Sequence, residues 1–375
     1  PEAAYLLATH VSDTAPSPIQ NPPDHQIHVN TVRDNYHGYT KTQVKNATRA
    51  RRLMSMIGTP SPRDFQGLVR HNLLKDCPVT PDDIAIAHDI FGPDLATIRG
   101  KTVRHSPERV VTDYVEIPRD FIEKHYRVTI VADIMFVNSV PFLVSASRSL
   151  NLITIEHAPH RTASKIAHLL QRIMRVYNRA GFTVQTILMD NEFEKVRTHL
   201  HDTTLNLPAA GEHVGEIERR IRVIKERSRG IITTLPYPHL PQIMLINLLH
   251  FIVMWLNNFP TTTGTRWSPR EIILRHRLDY KHHCRAPFGA YCEVHEDHEK
   301  ECNSMKTRGL PSICLGPTGN RQGTYNLLSL ISGLVIKQRT WNELPVPQSV
   351  IDRVSTLAKT SGVPKDLIFA DRHHH

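Results

Sequence analysis

Three acidic residues have the types and spacing of a metal-dependent phosphoryl-transfer site: Asp133, Asp190 and Glu218. Asp133 lies within a β-branched and aromatic run, Asp190 ends a second apolar run, and Glu218 lies near the start of a basic helical stretch. An acidic residue inside an apolar strand is costly unless it is paired or binds a cation. Carboxylates suit Mg²⁺ or Mn²⁺, and two such ions can activate the attacking oxygen and stabilise the leaving oxygen. The three residues therefore predict a two-metal site.

The elements that must position these carboxylates follow from the hydrophobic pattern. It predicts three strands over 126–137, 141–147 and 152–156, a helix from residue 163 that Gly181 ends, and a strand over 182–189. A short helix, a weak strand near 205–207 and two long helices, from about 215 and from about 240 to 257, follow. The expected fold class is α/β, with a mixed five-stranded sheet and helices, over a catalytic core at 105–280.

The regions on either side of this core have different patterns. Residues 1–38 are rich in Pro, Asp, Asn and His and predict a flexible leader, and residues 39–104 have the periodicity of a small all-helical module. After the core, short strands separated by glycine-containing turns predict a small β-barrel at 281–346. Residues 347–375 predict a helix and a linker. The chain is thus expected to have several domains.

Composition limits the class of protein and its partners. The chain has 375 residues, 40% of them hydrophobic, which is enough for two or three cores. Its net charge of +10 favours polyanionic partners, of which nucleic acid is the commonest. Five cysteines, an odd number, fit a reducing compartment. The longest apolar stretch, 243–256, is interrupted by polar residues, so we expect an intracellular protein without a membrane anchor or secretion signal.

Two motifs resemble the integrases of copia-type long-terminal-repeat retrotransposons, within the retroviral integrase superfamily. Residues 188–191 read Leu-Met-Asp-Asn, and residues 215–222 read Gly-Glu-Ile-Glu-Arg-Arg-Ile-Arg, which is similar to the family's Gly-x-x-Glu-Arg-x-x-Arg helix. Residues 256–260, Leu-Asn-Asn-Phe-Pro, and 267–271, Trp-Ser-Pro-Arg-Glu, are similar to the stretch that follows the family's catalytic core. The resemblance covers roughly residues 105–345, and the acidic helix motif is its most specific part.

The resemblance implies a ribonuclease-H-like catalytic core and a small domain of the Src-homology-3 type. It implies a DDE-type polynucleotidyl transferase, cut from a Pol polyprotein, that processes DNA 3′ ends and joins them to target DNA with two Mg²⁺ or Mn²⁺ ions. Asp133, Asp190 and Glu218 are the implied catalytic residues and metal ligands, with Glu216 as the alternative third carboxylate. The implied setting is a homo-oligomer on DNA, in the nucleus or a cytoplasmic virus-like particle, with no small-molecule cofactor.

This sequence departs from the family pattern at two places. The gap from Asp190 to Glu218 is 218 − 190 = 28 positions, shorter than usual in the family, and Glu192 replaces a common glycine. The upstream module lacks the family's zinc-binding His and Cys pairs, since Cys77 is its only cysteine. No zinc is therefore predicted there. The short gap keeps open a second hypothesis, a decayed or domesticated copy that binds nucleic acid without catalysis, beside a third, a ribonuclease-H-type nuclease.

Basic residues follow the third carboxylate on the same predicted helix. Arg219, Arg222, Lys225 and Arg229 are the candidate nucleic-acid contacts, through phosphates. A solvated face with local salt bridges is the alternative for most of them. A second cluster has the composition of a zinc site but matches no common zinc-finger spacing, and a barrel strand explains it better: His282, His283, Cys284, Cys292, His295, His298 and Cys302.

Overall fold

A computed structural model describes residues 29–101, 114–200, 203–207, 215–259, 267–295, 309–361 and 369–370. The helices are α1 Val32–Asn35, α2 Lys41–Met56, α3 Pro62–Arg70, α4 Pro81–Phe91, α5 Leu95–Lys101, α6 Arg119–Lys124, α7 Ala163–Arg179, α8 Gly215–Ile232, α9 Gln242–Leu256, α10 Pro269–Leu274, α11 Tyr280–His283 and α12 Gln348–Thr360, with 3-10 helices at Tyr36–Gly38 and Asn191–His199. The strands are β1 Arg127–Val137, β2 Val140–Ser147, β3 Ile153–His157, β4 Thr183–Leu188, β5 Thr204–Asn206, β6 Tyr291–His295, β7 Gly309–Pro317, β8 Tyr325–Ser329, β9 Val335–Gln338, β10 Trp341–Leu344 and β11 Phe369–Ala370.

A mixed sheet holds the first two acidic residues. Its strand order is β3-β2-β1-β4-β5, and β11 adds a further pairing with β1. β1, β2 and β3 are antiparallel neighbours, whereas β4 is parallel to β1 and β5 is parallel to β4. The prediction of a mixed five-stranded sheet with helices is therefore confirmed. Asn138 and Ser139 make the two-residue turn between β1 and β2, and both have the positive φ that such tight hairpins require.

β1 is buried on both faces because side chains alternate along a strand. Val131 and Met135 belong to a core cluster that includes residues of α8 and α9, whereas Ile130 and Ile134 belong to another that includes residues of α7. Burial on both sides explains why the strand reads as an almost continuous apolar run. Helix α8, which contains the third acidic residue, thus packs on the face that Val131 and Met135 share.

A second sheet follows the mixed sheet along the chain. Its five strands pair in the order β10-β6-β7-β8-β9, and every pairing is antiparallel. The sequence pattern predicts short strands over 291–294, 312–315, 325–330 and 334–339, which correspond to β6 to β9. It does not predict β10, whose two central residues are exposed and which lacks a clear apolar alternation. In the described part of the chain the pairings run from one edge, β10, to the other, β9. The predicted closure into a barrel is therefore not confirmed.

Helix α9 is shared by the two sheets. Its Leu245, Leu248 and Leu249 are completely buried in a cluster that also contains residues of the mixed sheet. The same cluster includes residues of the second sheet, among them Phe288 and Ile313. One apolar core consequently runs from the mixed sheet across α9 into the second sheet.

Helices α2, α3 and α4 pack around a core of their own, which includes Ala50, Phe65 and Ile90. This group joins the rest of the chain through α5, where Arg99 Nε donates to Glu293 Oε1 of β6 at 2.5 Å. The expected leader ends earlier than residue 38. Thr31 caps α1 and forms a bridge with Val346, which attaches the start of α1 to the end of the second sheet. The part of the predicted leader at 1–28 lies outside the described residues.

No helix within the described ranges is long and apolar enough to cross a membrane. Helix α9 is the most apolar segment that sequence patterning singled out, and its buried residues face the core instead.

Asn257 fixes β3 to the end of α9. Its Oδ1 accepts from Ile153 N at 2.8 Å and its Nδ2 donates to Ile153 O at 2.7 Å, and the side chain is buried. We expect Asn257→Ala to lower the free energy of unfolding by about 2–4 kcal/mol, because it leaves two buried backbone groups without partners. Chemical denaturation measures this loss. Asn258→Ala is the matched control, since the Asn258 side chain donates to Met254 O, four residues earlier in the chain, and an equal loss there would contradict the assignment.

Candidate active site

The pairing of β1 with β4 sets the relative position of Asp133 and Asp190. Val131 pairs with Leu188, an offset of 188 − 131 = 57 positions, and the two acidic residues are separated by the same 190 − 133 = 57. Asp190 has extended backbone angles, φ −66° and ψ 157°, so the strand direction continues past Leu188. Carrying the register two residues further places Asp190 beside Asp133, where neighbouring strands are about 4.8 Å apart.

Both side chains face the same side of the sheet. Leu188 packs against the cluster that contains Val131, whereas Met189 belongs to the cluster on the opposite face. By strand alternation, Asp190 returns to the face of Leu188, and Asp133 to the face of Val131. Both acidic residues are partly exposed among buried neighbours. The edge of the sheet therefore has two adjacent carboxylates on the side that α8 covers.

Local backbone bonds orient the two carboxylates. Asp133 Oδ1 accepts from Ile134 N at 2.7 Å, and Asp190 Oδ1 accepts from Asn191 N at 2.6 Å. Asp190 is also the N-cap of the 3-10 helix Asn191–His199, and its carbonyl oxygen accepts from Phe193 N at 3.0 Å. A capping aspartate is held in one conformation by these bonds. The chain thus turns sharply at Asp190 and leaves the carboxylate at the end of β4.

Glu218 lies in the first turn of α8, on the same side of the sheet as Asp133 and Asp190, and its side chain is exposed. Residues next to Glu218 in the sequence bind this turn of the helix to another part of the chain. Glu216 Oε2 lies 2.8 Å from Arg148 Nε, and Arg220 Nη2 donates to Asn151 Oδ1 at 2.6 Å. Arg148 and Asn151 both belong to the turn between β2 and β3. The first turn of α8 is therefore tied to the β2–β3 turn.

The site of this attachment lies further along β2 than the level of Asp133. Asp133 pairs with Val144 of β2, and Arg148 is four residues further on, which corresponds to about 13 Å along an extended strand. Within the described ranges, no three His, Cys, Asp or Glu side chains are grouped so that they could hold a metal ion. The structure thus brings Asp133 and Asp190 to one edge but does not gather Glu218 with them. The expected three-carboxylate group is absent from this conformation of the described residues.

The predicted nucleic-acid contacts lie along α8. Arg219, Arg222 and Arg229 are exposed and recur at intervals of three and seven, so they share one face of the helix, and Lys225 is half-buried. Sequence reasoning missed Arg148, which adds a cation beside this helix through its bond to Glu216. The sequence does not indicate that Arg148 lies near α8, because only the fold of the β2–β3 turn brings it to the helix.

The Trp-Ser-Pro-Arg-Glu stretch has a structural role. Ser268 and Glu271 form the capping box of α10, and the buried Arg270 donates to the carbonyl of Gly319 in the connection between β7 and β8. Burial lowers the pKa of Arg270 to about 10. Gly319 has φ +73°, and a Cβ there would lie 2.6 Å from the guanidinium, so both conformation and space require glycine. These contacts tie α10 to the second sheet.

Two residues of the His and Cys cluster are buried in the fold. His283 is buried, with Nε2 at 2.7 Å from the carbonyl oxygen of Asn320, and Cys292 is buried inside β6. Burial raises the pKa of the Cys292 thiol well above its usual range. His298 and Cys302 lie outside the described residues. We therefore interpret His283 and Cys292 as residues that stabilise the fold.

No protein-family model and no curated protein matches the chain. Among solved structures, the catalytic core domain of BIV integrase is 21% identical, with 39% of this chain and 93% of that chain covered and a TM-score of 0.29. The HTLV-2 integrase catalytic core domain, in complex with magnesium and in a trimeric form, is 15% identical, with 39% and 95% covered and a TM-score of 0.30. At such TM-scores these similarities support no argument about function. The functional argument depends instead on the strand register and on the motifs.

Proposed function

We propose that this chain is a retrotransposon integrase of the copia type, a divalent-metal-dependent polynucleotidyl transferase that processes DNA 3′ ends and joins them to target DNA. The observation that carries the proposal is the β1–β4 register, which sets Asp133 beside Asp190 at the end of β4. The strand order, with three antiparallel strands followed by two parallel ones, supports a ribonuclease-H-like core. Neither feature depends on the resemblance in the motifs.

The chemistry of the donors fits Mg²⁺ or Mn²⁺, since carboxylate oxygens are the ligands that these cations prefer. Asp133 and Asp190 would hold the metal. When bound, two such ions promote attack by an oxygen nucleophile and stabilise the leaving oxygen of a phosphodiester. The buried strand β1 keeps Asp133 rigid, and the capped turn after β4 keeps Asp190 rigid. At the end of β4 the protein thus provides two carboxylates in fixed positions for binding the metal.

We propose that Glu218, which forms no three-residue metal group with the aspartates here, completes the site by a movement of α8. Its first turn must leave Arg148 and Asn151 and approach Asp133 on the same face of the sheet. The contact between Glu216 and Arg148 is an exposed ion pair, a class worth about 0–1 kcal/mol, so its loss costs little. We propose that bound metal and DNA draw Glu218 to the two aspartates. A homo-oligomer on paired DNA ends, in the nucleus or a virus-like particle, belongs to the same proposal.

The basic face of α8 would hold DNA by its phosphates. The logarithm of the binding constant falls with the logarithm of salt concentration, by about 0.9 for each phosphate contact. Arg219→Ala/Arg222→Ala should therefore reduce the magnitude of this slope by about 2 and weaken binding to all sequences alike. Fluorescence anisotropy over a salt series measures it. Arg175→Ala/Arg179→Ala on α7, at the opposite face of the sheet, removes equal charge, and an equal change there would contradict a role of α8.

A second candidate function is favoured by one observation: among the described residues, Glu218 forms no three-residue metal-binding group with the two aspartates. A decayed or domesticated protein would bind nucleic acid through α8 and catalyse nothing. A ribonuclease-H-type nuclease would cut one strand of an RNA–DNA hybrid without joining DNA. Each alternative differs from the integrase in its products.

The deciding experiment incubates the full chain and Mn²⁺ or Mg²⁺ with DNA duplexes of randomised ends and a plasmid target, and then sequences the joined products. An integrase yields joined DNA in the presence of the metal, and the controls are the same mixture without divalent metal and the Asp190→Asn variant. Salt-sensitive binding without cleavage or joining would favour the decayed copy. Cleavage of an RNA–DNA hybrid without joining would favour the nuclease.

A further inference from the structure

Strand β1 has two edges, and three strands share them. β2 pairs with β1 from Ile130 to Val137, along one edge. β4 pairs only with the first part of β1, up to Val131. β11 pairs with Phe136 and Val137, whose β2-facing edge is already occupied. β11 therefore lies on the β4 edge, beyond the point where β4 ends.

This position is next to the two aspartates. Phe136 is three residues beyond Asp133, about 10 Å along the strand. Because β11 is antiparallel to β1, the step from Phe369 to Ala370 leads towards the level of Asp133. The edge of β1 beyond β4 offers backbone N–H and C=O groups to an extended segment, the usual way in which a peptide adds to a sheet. In this structure the chain supplies that segment itself.

Helix α12 fixes the start of the segment that carries β11. Val350, Val354 and Ala358 are buried, and Ser361 Oγ accepts from Gln242 N at 3.2 Å. Seven residues lie between Ser361 and Phe369, so the two are eight positions apart, a reach of at most about 29 Å. A short tether of this kind gives a docked segment a high effective concentration. Two residues of pairing can therefore compete for the edge although they bind weakly.

We propose that the edge of β1 beyond β4 is a strand-docking site, that Phe369–Ala370 occupy it, and that this occupancy competes with nucleic acid at Asp133 and Asp190. The competition rests on the proposed function, whereas the docking does not. A segment that holds the edge for nine tenths of the time lowers the apparent DNA affinity about tenfold.

The test compares four forms of the protein: the full chain, the chain ended after Ser361, Phe369→Pro/Ala370→Pro, and the control Lys365→Ala/Asp366→Ala. Successive amides of a strand alternate in direction, so replacing both residues removes whichever N–H donates to β1. Hydrogen exchange of residues 132–137 reports docking, and anisotropy with a DNA duplex and Mn²⁺ reports competition. A synthetic peptide of residues 362–375, added to the shortened chain, checks the docking directly.

We expect faster exchange and about three- to tenfold tighter DNA binding in the shortened and proline forms, with no change in the control. The peptide should restore protection. Unchanged exchange would overturn the docking, and faster exchange with unchanged DNA affinity would overturn the competition. If exchange and affinity both change but no form joins DNA, the strand-docking proposal stands and the catalytic proposal fails.

Discussion

Asp190→Asn is expected to reduce DNA joining by on the order of 10³-fold, and Asp133→Asn by a similar factor. Each substitution removes one of two neighbouring anionic groups while keeping the shape of the side chain. Loss of a metal ligand weakens charge stabilisation in the transition state by several kcal/mol, and each 1.36 kcal/mol is a tenfold change in rate. Initial rates of product formation, at saturating metal and DNA, measure the effect.

Glu194→Gln is the matched control for these two variants. Glu194 is exposed in the 3-10 helix that follows Asp190, so its replacement removes the same charge close to the site without touching the β4 edge. It should retain joining within about twofold of the unmodified chain, as surface substitutions usually do. Near-equal losses in Glu194→Gln and Asp190→Asn would show that general charge, and not the aspartate pair, supports the reaction.

The second large effect separates Glu218 from Glu216. We expect Glu218→Gln to reduce joining by about 10²- to 10³-fold, because it removes the third carboxylate of the assembled site. Glu216→Gln should keep joining or raise it by up to about fivefold, since it breaks only the exposed contact with Arg148. The same assay at fixed metal concentration compares them. Inactive Glu216→Gln beside active Glu218→Gln would identify Glu216 as the third ligand.

The mixed sheet is the part of the fold that sequence predicts well. β1 is buried on both faces and therefore has a β-branched run, and the Asn138-Ser139 turn marks where it reverses. β4 ends at Leu188, directly before the turn that Asp190 caps, so apolar patterning also found its end within one residue. Strand burial and tight turns depend on residues that are neighbours in the sequence, so the sequence alone predicts them.

Contacts between distant segments leave no such pattern. The Arg148–Glu216 pair joins positions 68 residues apart, and nothing near either residue indicates the other. β11 is only two residues long, and its pairing with β1 depends on where α12 places the tail. The position of α8 relative to Asp133 likewise results from tertiary contacts. The motif therefore identifies Glu218 as a candidate without determining whether it lies at the site.

The second sheet shows the same limit in another form. Alternating short strands predict β6 to β9, but β10 lacks such alternation and emerges only from its pairing with β6. Whether five antiparallel strands close into a barrel depends on strand tilt and register, and the hydrophobic pattern does not determine either of them. The buried Arg270 and its contact with Gly319 are also tertiary features, although the motif that contains Arg270 was visible in the sequence.

Binding of Mn²⁺ to the full chain without DNA tests the central claim most directly, because it depends on the Asp133–Asp190 pair alone. Electron paramagnetic resonance of the free ion gives the affinity. We predict that Asp133→Asn and Asp190→Asn each weaken binding by at least about tenfold, which corresponds to about 1.4 kcal/mol, whereas Glu194→Gln and Glu218→Gln change it little. Mn²⁺ binding that is equally strong in the unmodified chain and in both aspartate variants would contradict the account.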